Sequence, residues 1–245
     1  MKPTRLTVER RFCGPPDHAN GGYVGGLLFE MLDPPNQCAQ VTLRRPLPVE
    51  SEVEARPARR GGVDLVAGGE VLVEAEPANL SMEIHPPVPF ADAGRAARDL
   101  PDGAAFQFRG CFVCGADRGP RDGLGIRPGP VPKRTTVAAP WIPDHGLTGP
   151  GDLVRQRYVW AALDCPGAYA LHLNGAGDEP LVLGRMTAKV IHPLAAGERC
   201  VVTAWPIGAD GRRLFAGTAI HNEQGWLVAL TTQTWFPAAG RVPGA

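Results

Sequence analysis

The chain lacks the features that would place it in a membrane or on a nucleic acid. No hydrophobic run approaches the roughly 20 residues that a membrane-spanning helix needs. The 25 basic and 25 acidic residues cancel, so no strongly basic surface is expected for nucleic acid or for an anionic membrane. The first residues, Met-Lys-Pro-Thr-Arg-Leu, lack the hydrophobic core of a secretory signal peptide. We therefore expect a cytoplasmic location.

Familiar catalytic and metal-binding signatures are also scarce. The absence of a Gly-x-Ser-x-Gly elbow argues against an α/β-hydrolase. The six cysteines are scattered, and a reducing compartment disfavours disulfides. Cys111 and Cys114 form half of a zinc site, and no second Cys-x-x-Cys exists. Cys13, His145 and Cys165 could in principle complete it, but ordinary thiols and no bound metal are the expectation.

Matching segments recur in the same order in two parts of the chain. The pairs are Tyr23-Val24 with Tyr158-Val159, Val41-Thr42 with Met186-Thr187, and Leu65–Gly68 with Leu214–Gly217. Repetition over more than about 100 residues predicts two paired half-domains rather than a solenoid. We place the N-terminal half at residues 1–90 and the C-terminal half at residues 131–240. Residues 91–130 form a linker and an insertion that carries the Cys-x-x-Cys pair.

Each half is predicted to contain a short strand, one helix and a run of strands. In the first half the strand is expected near 5–12 and the helix near 21–33. Residues 77–105, rich in Pro, Ala, Asp and Gly, read as a linker, within which Leu80–Ile84 could form the last strand of this half.

The second half shows the clearer strand pattern. We expect a strand near 133–140, a helix near 153–172, and strands near 181–192, 198–207, 212–221 and 226–236. Gly211 and Gly225 mark tight turns because glycine accepts positive φ without strain. One helix against one long antiparallel sheet, present twice, is an α+β architecture.

The segment Asn20-Gly21-Gly22-Tyr23-Val24, at the entry to the first helix, resembles the Asn-Gly-Gly-Tyr motif of type II acyl-CoA thioesterases. The resemblance spans most of the chain outside the insertion around Cys111. It implies a double hotdog fold, in which an antiparallel sheet wraps around one helix in each half. It also implies hydrolysis of acyl-CoA or a related acyl thioester, with no cofactor. Exposed strand edges favour pairing into a homo-oligomer.

The resemblance further implies three catalytic residues that position a water. The helix acid of the family matches Asp164, and the Gln of its last strand matches Gln233. The family's Thr falls near Leu183, and the nearest hydroxyl belongs to Thr187. Asp164 would be the general base, Gln233 would orient the water through its amide, and Thr187 would assist.

The start of the first helix is the expected substrate-binding side. A helix N-terminus carries free N–H groups and the positive end of the helix dipole. Asn20 could cap this helix, and Gly21 and Gly22 would let a carbonyl approach the backbone. We predict that the N–H groups near Gly22 and Tyr23 bind the thioester oxygen, and that the neighbouring His18 touches substrate.

Two other functions remain open at this stage. A non-catalytic protein that binds acyl-CoA or acyl-carrier protein would keep the fold without the chemistry. A hotdog hydratase or dehydratase is less favoured, because it would need a His five residues after the Asp, where this chain has Tyr169. Arg44, Arg45, Arg59 and Arg60 are candidates to bind the phosphates of CoA.

Overall fold

The computed structural model describes residues 2–32, 37–101 and 108–238. Over these ranges the chain forms one antiparallel sheet of eleven strands and three α-helices. The first half contains β1 (Thr4–Thr7), α1 (Gly21–Phe29), β2 (Cys38–Leu43), β3 (Glu52–Pro57), β4 (Val63–Ala67) and β5 (Glu70–Pro77). After α2 (Phe90–Arg98) come β6 (Gly129–Pro130), β7 (Val137–Trp141), α3 (Gln156–Leu173), β8 (Leu181–Val190), β9 (Cys200–Asp210), β10 (Arg213–Asn222) and β11 (Leu227–Pro237). None of the helices described is both long and hydrophobic enough to cross a membrane.

The order of the strands shows two copies of one unit. The sheet runs β1-β3-β4-β5-β2-β8-β11-β10-β9-β7-β6, and its halves join where β2 pairs with β8, with Val41 opposite Met186. If β6 is set aside, each strand of the first half has an equivalent in the second half. The equivalent pairs are β1 and β7, β2 and β8, β3 and β9, β4 and β10, and β5 and β11. The segments matched in the sequence fall on equivalent elements, namely α1 and α3, β2 and β8, and β4 and β10. The predicted α+β architecture, duplicated within one chain, is confirmed, while the end points of the two halves stay a prediction.

The two main helices pack against each other because α1 presents glycines to α3. A Cβ at Gly22 would lie 2.6 Å from Cβ of Asp164, and a Cβ at Gly25 would lie 2.8 Å from the Trp160 ring. Trp160 is completely buried at this contact. At the other end of the contact, Glu30 accepts a 3.0 Å hydrogen bond from the backbone N–H of Arg157 and forms an ion pair with its guanidinium. The glycines therefore set the helix spacing, and Glu30 closes the first turn of α3.

Three local predictions require correction. The strand expected near 5–12 ends at Thr7, because residues Arg10–Phe12 form a 3-10 turn that buries Phe12. Leu80–Ile84 is not a strand: its side chains pack across the outer face of the second half, where Met82 lies against Trp205. The expected linker contains α2, whose Ala93 and Ala96 pack with residues of β7 and β9.

Candidate functional site

A cavity of about 510 Å³ lies between the two halves. Much of its wall is hydrophobic, formed by Leu43, Leu47, Phe108, Leu181, Leu183 and Phe236. The polar part of the wall contains His18, Asn20, Asp164, Tyr169 and the cysteines at positions 111, 114 and 165. Both halves and the insertion contribute to the wall, so the cavity can hold an apolar group beside a small set of polar atoms.

Asp164 lies on α3, where the residue is 2 % exposed. Its Oδ2 atom accepts a 2.9 Å hydrogen bond from the backbone N–H of Gly22. Its Oδ1 atom is buried and has no hydrogen-bond partner in the described part of the chain. Burial raises the pKa of Asp164 to about 7, against the opposing effects of the Gly22 hydrogen bond and of the nearby Asn20 side chain. A carboxyl group with such a pKa can take up and release a proton near neutral pH.

The backbone N–H groups at the N-terminus of α1 have different hydrogen-bond partners from those that we predicted. Asn20 caps the helix by accepting a 2.9 Å hydrogen bond from the Tyr23 N–H, as expected for an N-cap residue. The Gly22 N–H is taken by Asp164. The two N–H groups predicted to bind a thioester oxygen therefore already have acceptors, and that prediction needs correction. Gly21 also lines the cavity, and its N–H has no acceptor among the residues that the structure describes.

Of two other residues predicted to bind substrate, Tyr23 lies in the core and His18 lies at the cavity wall. Tyr23 is 5 % exposed and stacks on Phe12, with 4.2 Å between ring centroids and 7° between ring planes. It belongs to the hydrophobic core and not to the cavity wall, which corrects its predicted role. His18 does lie at the cavity wall, with its Nδ1 atom 2.8 Å from the carbonyl oxygen of Pro16.

The amide of Gln233 supports α3 instead of pointing into the cavity. Its Nε2 atom donates to the carbonyl oxygens of Leu163 and Asp164, at 2.6 and 3.0 Å. Its Oε1 atom accepts from the indole N–H of Trp235 at 3.0 Å and from Thr218 at 3.5 Å. Both amide hydrogens and both oxygen lone pairs are thus occupied. The direct contact with a water that we predicted for Gln233 is not supported by this geometry.

Thr187 lies on the wrong face of β8 to reach Asp164. Its neighbours in the strand, Met186 and Ala188, are buried against the core, so alternation turns Thr187 to the opposite face. There its hydroxyl lies 3.4 Å from Oε1 of Gln40. The predicted catalytic role of Thr187 is therefore corrected. Leu183, near the position where the resemblance expects the Thr, does line the cavity.

Comparison with known proteins identifies the architecture. No family model and no curated protein sequence matches the chain. A tesB protein of Mycobacterium avium subs paratuberculosis matches with a TM-score of 0.64 and 13 % identity, over 96 % of this chain and 92 % of that one. The acyl-CoA thioesterase II TesB2 of Mycobacterium marinum matches with a TM-score of 0.61 and 15 % identity, over 100 % and 93 %. A hot dog fold protein of Alicyclobacillus acidocaldarius, described as of unknown function, matches with a TM-score of 0.54 and 11 % identity, over 96 % and 92 %.

The chain has a double hotdog fold. The fold implied by the Asn20-Gly21-Gly22-Tyr23 motif is therefore confirmed. Identities of 11 to 15 % show the fold alone, so the roles of individual residues must be argued from the geometry of this chain.

The insertion of this double hotdog brings its cysteines to the cavity wall beside Asp164. The sulfur atoms of Cys111, Cys114 and Cys165 all lie within 4.8 Å of one another, and Cys165 directly follows Asp164 in α3. The Cys-x-x-Cys spacing signals two of these residues in the sequence. The third comes from a helix some 50 residues later, so only the fold brings the three together.

Two arginines lie at the rim of the double hotdog cavity. Arg44 and Arg45 line it and form ion pairs with Glu74 and Glu70, with guanidinium side chains that are 53 % and 59 % exposed. Arg59 and Arg60 lie outside the cavity lining. Of the four arginines named as candidates for CoA phosphates, the structure therefore brings two to the cavity.

Proposed function

We propose that this double hotdog protein hydrolyses acyl thioesters of the acyl-CoA type, with Asp164 as the general base. The observation that carries the proposal is the environment of the Asp164 carboxylate. One oxygen is fixed by the Gly22 N–H, while the other is buried, unpartnered in the described residues and beside an apolar cavity. Oδ1 is thus an acceptor without a donor among the described residues, and the proposal requires a water to reach it from the adjacent space for an acyl chain.

The proposed reaction uses this free oxygen as the proton acceptor. A water held by Oδ1 gives its proton to Asp164 while its oxygen attacks the carbonyl carbon of the thioester. The carbonyl oxygen becomes an oxyanion, to which the N–H of Gly21 can donate a hydrogen bond. When the carbon–sulfur bond breaks, the thiolate leaves and takes the proton back from Asp164. The products are a carboxylic acid and a thiol, and the carboxylate of Asp164 is regenerated.

The remaining wall of the cavity supports this class of substrate. The hydrophobic side chains around Leu43 and Phe236 suit an acyl chain, and Arg44 and Arg45 suit the phosphates of CoA at the rim. Two proteins that share the fold are named for TesB, one of them as an acyl-CoA thioesterase II. We propose that Gln233 contributes as a positioning residue, because its amide holds the backbone carbonyls of Leu163 and Asp164.

A binding protein without catalysis is the second candidate. It is favoured by the geometry of Thr187 and Gln233, since neither places a free polar atom beside Oδ1 of Asp164. A hydratase or dehydratase is disfavoured, because Tyr169 occupies the cavity position at which that chemistry would need a histidine.

Thiol release from a panel of acyl-CoAs separates these functions. The panel should span short, medium, long and aromatic acyl groups, with wild type and Asp164→Ala assayed together. We expect release by the wild type from at least one ester, and its collapse in Asp164→Ala while circular dichroism shows a retained fold. Saturable binding of acyl-CoA without release of a thiol would favour the binding function over the hydrolase function. Undiminished release by Asp164→Ala would refute its role as the base.

A further inference from the structure

We propose that Cys111, Cys114 and Cys165 form a zinc site whose fourth coordination position opens onto the cavity. The proposal concerns a metal and does not depend on the hydrolysis of thioesters. It rests on the positions of three sulfur atoms, on the backbone that presents them and on the polar groups around them.

The sulfur atoms are spaced as the ligands of one small metal ion. Zinc–sulfur bonds of about 2.3 Å in a tetrahedral site separate the sulfur atoms by about 3.8 Å. The Sγ atoms of Cys111 and Cys165 are 3.6 Å apart, and the Sγ of Cys114 lies within 4.8 Å of both. A disulfide would require an S–S distance of about 2.0 Å and would use only two of the three. A shared metal would use all three.

The insertion presents its two cysteines on a tight turn. The backbone N–H of Gly115 donates to the carbonyl oxygen of Cys111 at 2.9 Å, which closes the Cys111–Gly115 segment. A Cβ at Gly115 would lie 2.5 Å from the carbonyl oxygens of Arg109 and Cys111, so no other residue fits there without a backbone shift. Turns of this Cys-x-x-Cys-Gly kind point both sulfur atoms to the same side, as a metal requires.

The side-chain amide of Asn20 lies beside two of the three sulfur atoms. The side-chain amide nitrogen of Asn20 lies 4.0 Å from the sulfur of Cys111 and 3.9 Å from that of Cys165. Donors to ligand sulfur atoms stabilise thiolates and orient them toward a metal. Soft thiolate ligands select zinc over the hard cations magnesium and calcium.

Among the residues that the structure describes, the three-cysteine set leaves one position of a tetrahedral ion without a further ligand of the cluster. All three cysteines line the cavity, and Cys13 and His145 stand outside the cluster. Asp164, whose buried Oδ1 has no hydrogen-bond partner among the described residues, lines the same cavity one residue before Cys165. Three protein ligands with one open position is the pattern of zinc sites that bind a water or a substrate atom. Zinc here would also fasten the insertion to α3 beside Asp164.

Metal analysis of the protein purified under reducing conditions tests the proposal. We expect about one zinc ion per chain in the wild type, and loss of most of it in Cys165→Ser and in Cys111→Ser. Cys38→Ser is the matched control, because Cys38 is a buried cysteine outside the cluster. It should keep the full zinc content. Equal zinc content in Cys165→Ser and the wild type would overturn the assignment.

Cobalt substitution gives a test that needs no variant to fold. Cobalt(II) added to the reduced, metal-depleted wild type should bind once per chain, with near-ultraviolet sulfur-to-cobalt charge-transfer bands and the visible bands of a tetrahedral ion. Zinc should then displace it. Reduced wild type that binds neither cobalt nor zinc would refute the site. A Cys111–Cys165 disulfide in protein kept under reducing conditions, found by mass spectrometry, would refute it as well.

Discussion

The backbone N–H of Gly22 and the Oδ2 atom of Asp164 are joined by a 2.9 Å hydrogen bond that crosses from one half of the double hotdog to the other. The donor belongs to the first turn of α1, so the carboxylate also faces the positive end of a helix dipole. This contact holds one oxygen of Asp164, while the other is buried without a hydrogen-bond partner among the described residues. The same glycine lets the two helices approach, so helix packing and the orientation of the acid depend on one residue.

Gly22→Ala should separate these helices. The added Cβ would lie 2.6 Å from both the carbonyl oxygen of Trp160 and the Cβ of Asp164, neither of which can move independently of α3. We expect the free energy of unfolding to fall by about 1–3 kcal/mol, measured by chemical denaturation.

Gly94→Ala provides the matched control for that substitution. Gly94 lies in α2, where a Cβ would meet only the guanidinium of Arg98 at 3.7 Å. Alanine should leave stability unchanged or raise it by about 0.4–1 kcal/mol. An equal loss of stability in both variants would contradict the close helix approach at Gly22.

Gln233→Ala should impair both stability and turnover. Removing the amide leaves the backbone carbonyls of Leu163 and Asp164 without these donors, at a cost of about 1–3 kcal/mol in the free energy of unfolding. We expect kcat to fall with little change in KM, because α3 carries Asp164.

Thr187→Ala is the variant for comparison with Gln233→Ala. Since its side chain lies on the outer face, it should change stability by no more than about 0.5 kcal/mol and leave kcat intact. A large loss of kcat in Thr187→Ala would contradict its placement.

Arg45→Gln should weaken recognition of the CoA part of the substrate. An exposed cation at the rim contributes about 0.2–1 kcal/mol to a phosphate contact, so KM for the preferred acyl-CoA should rise roughly 1.5- to 5-fold. The corresponding N-acetylcysteamine thioester has no phosphate, and its KM should not change. Arg59→Gln, outside the cavity lining, is the matched charge control. Equal effects of Arg45→Gln on both esters would exclude a phosphate contact.

If the proposed hydrolysis is correct, Leu183→Ala should shift the substrate preference toward longer acyl groups. Leu183 lines the cavity and is only partly buried, so its truncation enlarges the space at modest cost to the core. Each additional buried methylene is worth about 0.8 kcal/mol, or roughly fourfold in kcat/KM. The ratio of kcat/KM values for two esters that differ in chain length measures the shift. An unchanged ratio would place the acyl chain elsewhere.

The sequence predicted the repeated elements well because their patterns are local. In the second half the strands are bounded by turns at Gly211 and Gly225, and both glycines adopt positive φ. The first helix and its cap at Asn20 also follow from the local sequence. By contrast, α2 was not predicted, because it lies in a segment rich in Pro, Ala and Gly. Its buried residues, Ala93 and Ala96, are too small to give a clear hydrophobic pattern.

The site was harder to predict because its contacts join distant segments. The burial of Asp164 agrees with its apolar neighbours in the sequence, yet its bond to Gly22 spans 142 positions. The face of β8 occupied by Thr187 depends on register, and a shift of one residue reverses it. The gathering of Cys165 with Cys111 and Cys114 likewise depends on how the insertion folds back on α3.

The most direct measurement is steady-state thioester hydrolysis by Asp164→Asn beside wild type and Glu30→Gln. Asparagine keeps an oxygen that can accept the Gly22 hydrogen bond, but it cannot take a proton from water. Glu30→Gln is the control. Glu30 accepts a hydrogen bond from the backbone N–H of Arg157 at the start of α3, and it lies outside the cavity lining. We predict that kcat falls by about 10²- to 10⁴-fold in Asp164→Asn at similar KM, while Glu30→Gln stays near the wild-type rate. A folded Asp164→Asn protein with the wild-type kcat would contradict the assignment of Asp164 as the base.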